Sequence, residues 1–225
     1  MSSPDSRCAA CSGDSVDWFD LWDNVCTDHV DEHLRRFAGE ALRKVIPVRQ
    51  QHARLIPDVL KSWDAANDSG QGVFLFGPVR TGKSYTAAAL LKRAWMQRAK
   101  RDHRHASARW VNVAEWFTDA RRTIGVRKNP TDLTTVKDMI DCDLLVLDDL
   151  GAERQTAWVV ETLYVVVNGR YDRMKPTIAT SNLDLVGLAE GLTPTDNPDS
   201  VSGERIVRRL EDASCVVAMT KEVKG

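Results

Sequence analysis

The sequence predicts an α/β fold in which a central parallel sheet is flanked by helices, and three observations carry that reading. The apolar run Val73-Phe74-Leu75-Phe76 passes directly into Gly77-Pro-Val-Arg-Thr-Gly-Lys-Ser84, a complete G-x-x-x-x-G-K-[ST] string, and then into an alanine- and leucine-rich helix over residues 85–95. A second run, Leu144-Leu-Val-Leu147, ends in the adjacent carboxylates Asp148 and Asp149, as a buried central strand with its chemistry at the carboxyl end would. Further apolar runs at 110–113, 177–180 and 215–219 alternate with helical stretches, the pattern of strand–helix–strand units.

Upstream of this core the composition changes. Residues 1–35 form a small acidic module, with Asp5, Asp14, Asp17, Asp20, Asp23, Asp28, Asp31 and Glu32 against Arg7 alone before Arg35. Residues 36–72 read as a helical lead-in interrupted at Ile46-Pro47 and Ile56-Pro57, closed by the loop Asn67-Asp-Ser-Gly-Gln-Gly72. Residues 73–225 hold the α/β domain. A chain of 225 residues suffices for one such domain with an appendage. The net charge of −1 excludes a uniformly basic nucleic-acid coat, so any DNA contact must come from local patches. No run is long enough to span a membrane and the start is polar and acidic rather than a signal peptide, so a cytoplasmic protein without membrane attachment is expected.

The chemistry of the first motif follows from the charge of its ligand. A triphosphate is met best by backbone N–H groups and a helix N-terminus, which bulky side chains would screen. Gly77, Pro78, Val79, Arg80, Thr81, Gly82, Lys83, Ser84 and the following Tyr85 therefore form the expected nucleotide-binding loop. Lys83 supplies a point charge to the β- and γ-phosphates, and Ser84 offers a hydroxyl to Mg²⁺, a cation that prefers hard oxygen ligands. Asp148, beside this loop, would hold Mg²⁺ or its water shell, while Asp149 would polarise the attacking water. An aspartate reaches water less far than a glutamate, so slow hydrolysis is expected.

Three further constellations stand out. Thr180-Ser181-Asn182 closes a strand, where Asn182 either orients water and the γ-phosphate or caps the helix that follows. Gly203-Glu-Arg-Ile-Val-Arg-Arg-Leu210 places Arg205 and Arg209 four apart on one helical face, which by spacing alone is a solvated basic face. Cys8-x₂-Cys11-x₁₄-Cys26-x₂-His29 has the pair-plus-pair spacing of a tetrahedral Zn²⁺ site, with His33 as an alternative fourth ligand. With Trp18, Phe19 and Trp22 nearby, such a module suits docking to a protein partner.

The strings Leu147-Asp-Asp-Leu-Gly-Ala-Glu153, Pro176-Thr-Ile-Ala-Thr-Ser-Asn182 and Gly203-Glu-Arg-Ile-Val-Arg-Arg-Leu210, with Trp158 and Arg170 between them, resemble the AAA+ ATPases of the DnaC/DnaI helicase-loader and IstB group. The resemblance covers about residues 45–220, and phage-encoded loaders belong to the group as well. It implies an AAA+ P-loop NTPase without a C-terminal lid domain, ATP and Mg²⁺ as cofactors, and self-association into a ring or spiral. It further implies that Asn182 is the sensor-1 residue and that Arg209 is an arginine finger acting on a neighbouring subunit's nucleotide, with Arg205 as its companion. Lys83, Asp148, Asp149, Asn182 and Arg209 are then the catalytic set. A basic sensor-2 residue has no evident match, Lys221 and Lys224 being weak substitutes.

The same resemblance points to a replicative DNA helicase and single-stranded DNA as partners. Two basic patches precede and follow the second strand: Arg98, Lys100, Arg101, Arg104 and Arg109, then Arg121, Arg122, Arg127 and Lys128. Trp116 and Phe117 either stack on bases beside the second patch or belong to the core of an amphipathic helix. The function expected is that of an ATP-dependent helicase loader. An IstB-like transposition helper and a non-catalytic nucleotide-switched adaptor are the alternatives.

Overall fold

The computed structural model describes residues 27–54, 59, 63, 71–123, 134–153, 155–194, 196–197 and 200–220. Its elements, in chain order, are α1 (Thr27–Leu42), a 3₁₀ turn (Val48–Gln50), β1 (Gly72–Phe76), α2 (Lys83–Asp102), β2 (Ala108–Asn112), α3 (Val113–Thr123), α4 (Val136–Asp141), β3 (Leu144–Leu150), α5 (Ala157–Tyr171), β4 (Thr177–Ser181), α6 (Leu185–Gly191), α7 (Ser202–Ala213) and β5 (Ser214–Ala218). The five strands form one sheet in the order β2-β3-β4-β1-β5, and every neighbouring pair is parallel. The predicted AAA+ P-loop architecture is therefore present, a parallel sheet covered by helices.

Side-chain alternation assigns the two faces. Val73 and Leu75 of β1, with Leu144 and Val146 of β3, pack with α1 and α2. Phe74, with Leu145 and Leu147, packs with α3, α5 and α7. Strands buried on both faces read as uninterrupted apolar runs, which is why β1 and β3 were the most legible segments of the chain.

The N-terminal side differs from its reading in one respect. A single helix, α1, runs across position 35, and Leu34, Phe37, Ala38 and Leu42 are buried in the same cluster as Trp63, Trp95 and the inner face of α2. An amphipathic stripe continues where the charge pattern changes, because charge is carried by the solvent face and says nothing of the buried one. Residues 27–35 thus join the lead-in. The preceding acidic stretch, with Cys8, Cys11 and Cys26, lies outside the described residues.

Two devices set the strand ends. Gly77 follows β1 with φ 147°; a Cβ there would stand 2.2 Å from the Met219 carbonyl oxygen, so this position accepts glycine alone. Its N–H donates to the Ser181 carbonyl at 3.2 Å, and the Met219 N–H donates to the Phe76 carbonyl at 2.7 Å. In β3 the register to β4 slips between Leu147 and Leu150. One extra residue is accommodated there, a bulge that holds Asp149 at φ 61° and re-aims both carboxylates.

At the opposite end of the sheet, Arg170 is 1% exposed and makes no ion pair with a carboxylate among the described residues. It donates instead to the carbonyls of Met139, Cys142 and Pro176 at 2.7, 2.9 and 2.7 Å and to Thr177 Oγ1 at 2.9 Å. The guanidinium thus ties together the end of α4, the turn into β3 and the start of β4. Truncation leaves several buried carbonyls without a donor. Arg170→Ala is expected to lower stability by roughly 3–5 kcal/mol, seen as a fall in Tm of about 10 °C. A Tm within about 2 °C of the parent chain would contradict this structural role.

Candidate nucleotide and magnesium site

The site lies where β1, β4 and β3 finish together, the position at which an open parallel sheet receives its ligand. Gly82 adopts a left-handed conformation, φ 82°, and caps α2, so the first-turn N–H groups of α2 open onto the loop. Arg80 also has positive φ, 70°, and Thr81 is buried with its hydroxyl donating to the Pro78 carbonyl at 2.9 Å. Val79 stands outward, 70% exposed, which leaves the loop's backbone uncovered by bulky side chains. Tyr85, one turn into α2, donates its hydroxyl to the His52 carbonyl at 3.1 Å and fastens the lead-in to the site.

The predicted polar residues converge here. The Lys83 ammonium donates to the carbonyls of Gly77 and Pro78, both at 2.8 Å, and to Asn182 Oδ1 at 2.9 Å. Asn182 in turn donates from Nδ2 to Asp149 Oδ1 at 3.1 Å. Asn182 is therefore placed between the lysine and the second carboxylate, and the cap of the following helix is Asp184, which accepts from the Gly187 N–H at 2.8 Å.

A second chain of contacts runs beside the first. Ser84 Oγ donates to Asp148 Oδ1 at 2.8 Å, and Thr180 Oγ1 donates to the same oxygen at 2.6 Å. The Thr180 hydroxyl also accepts the Asp149 N–H at 2.9 Å. Thr180 is the site residue that sequence reasoning missed. Its signal was its place one residue before Ser181-Asn182 on the strand paired with β3, which only the register makes visible.

Burial sets the electrostatics. Desolvation pushes the Asp148 carboxyl above its ordinary range, against the bonds from Thr180 and Ser84 that favour its charged form. Desolvation likewise pulls the Lys83 ammonium below its ordinary value, while Asp149 and Asp148 oppose it. A buried acid carrying an unneutralised charge beside a serine hydroxyl is a fitting pair of oxygen ligands for Mg²⁺. Nearby, Glu153 is buried, accepts the Gly151 N–H at 3.0 Å through Oε2, and is also raised by desolvation.

Other predicted residues fall elsewhere. Arg209 lies on α7, five residues before β5 begins opposite Gly72 at the start of β1, whereas the P-loop follows the end of β1. The contacts of Arg209 are to Asn168 and Tyr171 at the end of α5, on the approach to the start of β4, so the structure does not bring Arg209 to its own chain's phosphate loop. Arg205 and Arg208 are exposed on the same helix. Phe117 is 1% exposed and packs edge-on against Trp116 and Trp158, with ring centroids 4.9 and 5.2 Å away. Trp116 is half-buried and gives its indole N–H to the Thr134 carbonyl at 2.7 Å. Phe117 is thus a core residue and Trp116 packs, partly buried, against the same cluster, the second of the two alternatives that the sequence left open.

The first basic patch is also largely neutralised: Arg98 and Arg101 lie 3.7 and 2.8 Å from Asp102, Arg104 makes a paired contact to Asp143 at 2.9 and 2.8 Å, and Lys100 pairs with Asp31. Arg121 and Arg122 remain exposed; Arg127 and Lys128 lie outside the described residues, as do Lys221 and Lys224. His29 sits on α1, and among the described residues no group of three or more metal-ligating side chains occurs. No described helix is long and apolar enough to cross a membrane.

Because the folded-state pKa of Asp148 is raised, folding favours its neutral form, and the stability linked to it is present in acid and lost as pH rises through that pKa. Asp148→Asn, a neutral isostere that still accepts from Ser84 and Thr180, should raise the Tm of the nucleotide-free chain at pH 7.5. The gain should shrink as pH falls below the raised pKa. Thermal melts showing an equal gain at both ends of that range would contradict the assignment.

Comparison with known proteins agrees with this geometry. No family model matches the chain. It is similar to the replicative helicase loader DnaI of Bacillus subtilis, 26% identical over 167 residues, covering 73% of this chain and 50% of that protein. It is also similar to an ATP-binding protein of an insertion sequence from Mycobacterium tuberculosis, 28% identical over 120 residues, 51% of this chain and 42% of that protein. The matched region thus spans about half the length of these curated relatives or less. A crystal structure of DnaI superposes with a TM-score of 0.60 at 24% identity, over 78% of this chain and 92% of the other. With its loop, paired aspartates and sheet order in place, the chain has the AAA+ P-loop fold and is similar in sequence to a replicative helicase loader and to an insertion-sequence ATP-binding protein.

Proposed function

We propose that the chain is an ATP-dependent helicase loader acting in DNA replication. The observation that carries this reading is the similarity to a replicative helicase loader over 73% of the chain. ATP enters with its phosphates against the α2 N-terminus and the Gly77–Gly82 backbone. Lys83 exchanges its two loop carbonyls for phosphate oxygens while staying within reach of Asn182, so the charge that the loop now holds internally is transferred to the ligand. Ser84 and Asp148 are the residues that would hold Mg²⁺, and the ion, when bound, neutralises the β- and γ-phosphate oxygens. Asp149, oriented by Asn182, accepts the proton of the attacking water.

Assembly follows from the position of Arg209. Its contacts lie at the end of α5 rather than on its own phosphate loop, which supports a finger that acts on a neighbour's nucleotide in a ring or spiral. ATP binding favours that assembled state, which grips the helicase and single-stranded DNA, and hydrolysis releases it. Arg121 and Arg122, on the exposed side of α3, are the surface assigned to DNA, whose phosphates would compete with Asp119 for Arg122. The acidic N-terminal stretch, stapled by Zn²⁺ through Cys8, Cys11, Cys26 and His29, docks the helicase. The second reading, a transposition helper on duplex DNA, is favoured by the insertion-sequence relative.

Lys83→Ala should abolish ATP binding, whereas Asp149→Asn should bind ATP normally and lose hydrolysis by about 100-fold or more. Calorimetry and phosphate release separate these outcomes, and normal turnover by Asp149→Asn would remove its role. In the presence of ATP the chain should deposit a hexameric helicase on single-stranded DNA. Binding confined to duplex DNA, with no helicase captured, would favour the transposition reading instead.

Metal analysis tests the N-terminal module separately. Protein purified without chelator should carry about one zinc per chain, and chelation should leave ATP affinity unchanged. Finding no zinc would remove that site and leave the ATPase reading standing.

A further inference from the structure

Arg209 does not hang free on α7. Its guanidinium lies over the Tyr171 ring, Cζ 4.4 Å from the centroid, and its Nε donates to Asn168 Oδ1 at 3.2 Å. Asn168 donates from Nδ2 to Asp172 Oδ2 at 2.8 Å. Asn168, Tyr171 and Asp172 are spaced i, i+3, i+4 and share one face at the end of α5.

This holder has a defined logic. An ionised carboxylate only accepts, so Asp172 draws the NH₂ end of the Asn168 amide toward itself and turns the oxygen toward Arg209. The tyrosine face fixes the plane of the guanidinium. Arg209 is thus gripped by one face and by its Nε edge. Both terminal nitrogens, the end that meets phosphate oxygens as a fork, are without a hydrogen bond or ion pair among the described residues.

We propose that Asn168, Tyr171 and Asp172 are positioning residues that hold the Arg209 fork ready for the triphosphate bound by a second copy of this chain. The inference rests on the reading of Arg209 as a finger between copies and adds what aims it. An arginine already held in plane surrenders less rotamer freedom when it meets the phosphate, so the holder acts on turnover rather than on nucleotide affinity. A second copy is the proposed recipient because Arg209 is held at the end of α5 that leads into the start of β4, whereas the P-loop follows the end of β1. The repeated head-to-tail contact that joins these two ends is the kind that builds rings and spirals.

The test compares steady-state hydrolysis by Arg209→Ala, Tyr171→Leu, Tyr171→Phe and Asn168→Ala, alone and mixed with Lys83→Ala. Tyr171→Leu and Asn168→Ala should each lower kcat by about tenfold with the KM for ATP unchanged, and Tyr171→Phe, which keeps the ring face, should restore wild-type kcat. Tyr171→Leu mixed with Lys83→Ala should regain activity, because one variant brings an intact P-loop and the other an intact holder. Mixed with Arg209→Ala it should regain none.

If Arg209→Ala alone retains full activity, the finger reading fails and the holder with it. If Arg209→Ala is impaired while Tyr171→Leu and Asn168→Ala turn over normally, the holder alone is overturned. Recovery of Tyr171→Leu by Arg209→Ala would overturn it too. Asn168 is half-exposed on its helix, so its variant keeps the test decisive should the leucine substitution disturb folding.

Discussion

The nucleotide end of this fold depends on three parallel strands stopping at one level and being tied to one another by side chains. Thr180 is the central tie. Its hydroxyl donates to Asp148 and accepts from the Asp149 N–H, so one β4 residue fixes the carboxylate of one β3 aspartate and the backbone of the next. The bulge in β3 makes this possible by giving two aspartates the space of one partner residue. Across the sheet, the Gly77 N–H and the Met219 N–H pin the start of the phosphate loop between β4 and β5. The loop takes its shape from those anchors together with the internal bonds of Thr81 and Lys83 to the Gly77 and Pro78 carbonyls.

The same ties explain how charges survive in so buried a place. Asp148 is held by two hydroxyl donors, Ser84 and Thr180, and among the described residues by no direct ion pair. Lys83 is held by two carbonyls and an amide oxygen. Neutral partners offset part of the desolvation cost of each charge without neutralising it, and burial still pushes both groups toward their neutral forms. A dication and a triphosphate are the ligands that cancel both residual costs at once. Site chemistry and site electrostatics therefore point to the same occupant.

Much of this was legible in the sequence, and the limits were physical. The strands β1 and β3 announced themselves because burial on both faces requires continuous apolar runs, and the P-loop because phosphate recognition requires glycine, lysine and serine at fixed spacing. Asn182 was found because strand ends are where ligands sit. What was not legible depended on register and on which face of a helix turns inward. The Thr180 tie needs β3 and β4 aligned. Phe117 as a core residue needs α3 placed against α5, and the pairing of Arg104 and Lys100 shows only once Asp143 and Asp31 are brought beside them. The Arg209 holder joins residues some forty positions apart, on two helices that sequence spacing cannot bring together.

The central claim is that Lys83, Asn182 and Asp149, with Ser84, Asp148 and Thr180, form one nucleotide and Mg²⁺ site at the strand ends. A crystal structure with Mg²⁺ and a non-hydrolysable ATP analogue tests it most directly. The account predicts the Lys83 ammonium on β- and γ-phosphate oxygens instead of the Gly77 and Pro78 carbonyls, the metal between Ser84 and Asp148, and Asn182 still bonded to Asp149. A nucleotide bound elsewhere, or one bound with Lys83 remaining on its two loop carbonyls, would contradict it.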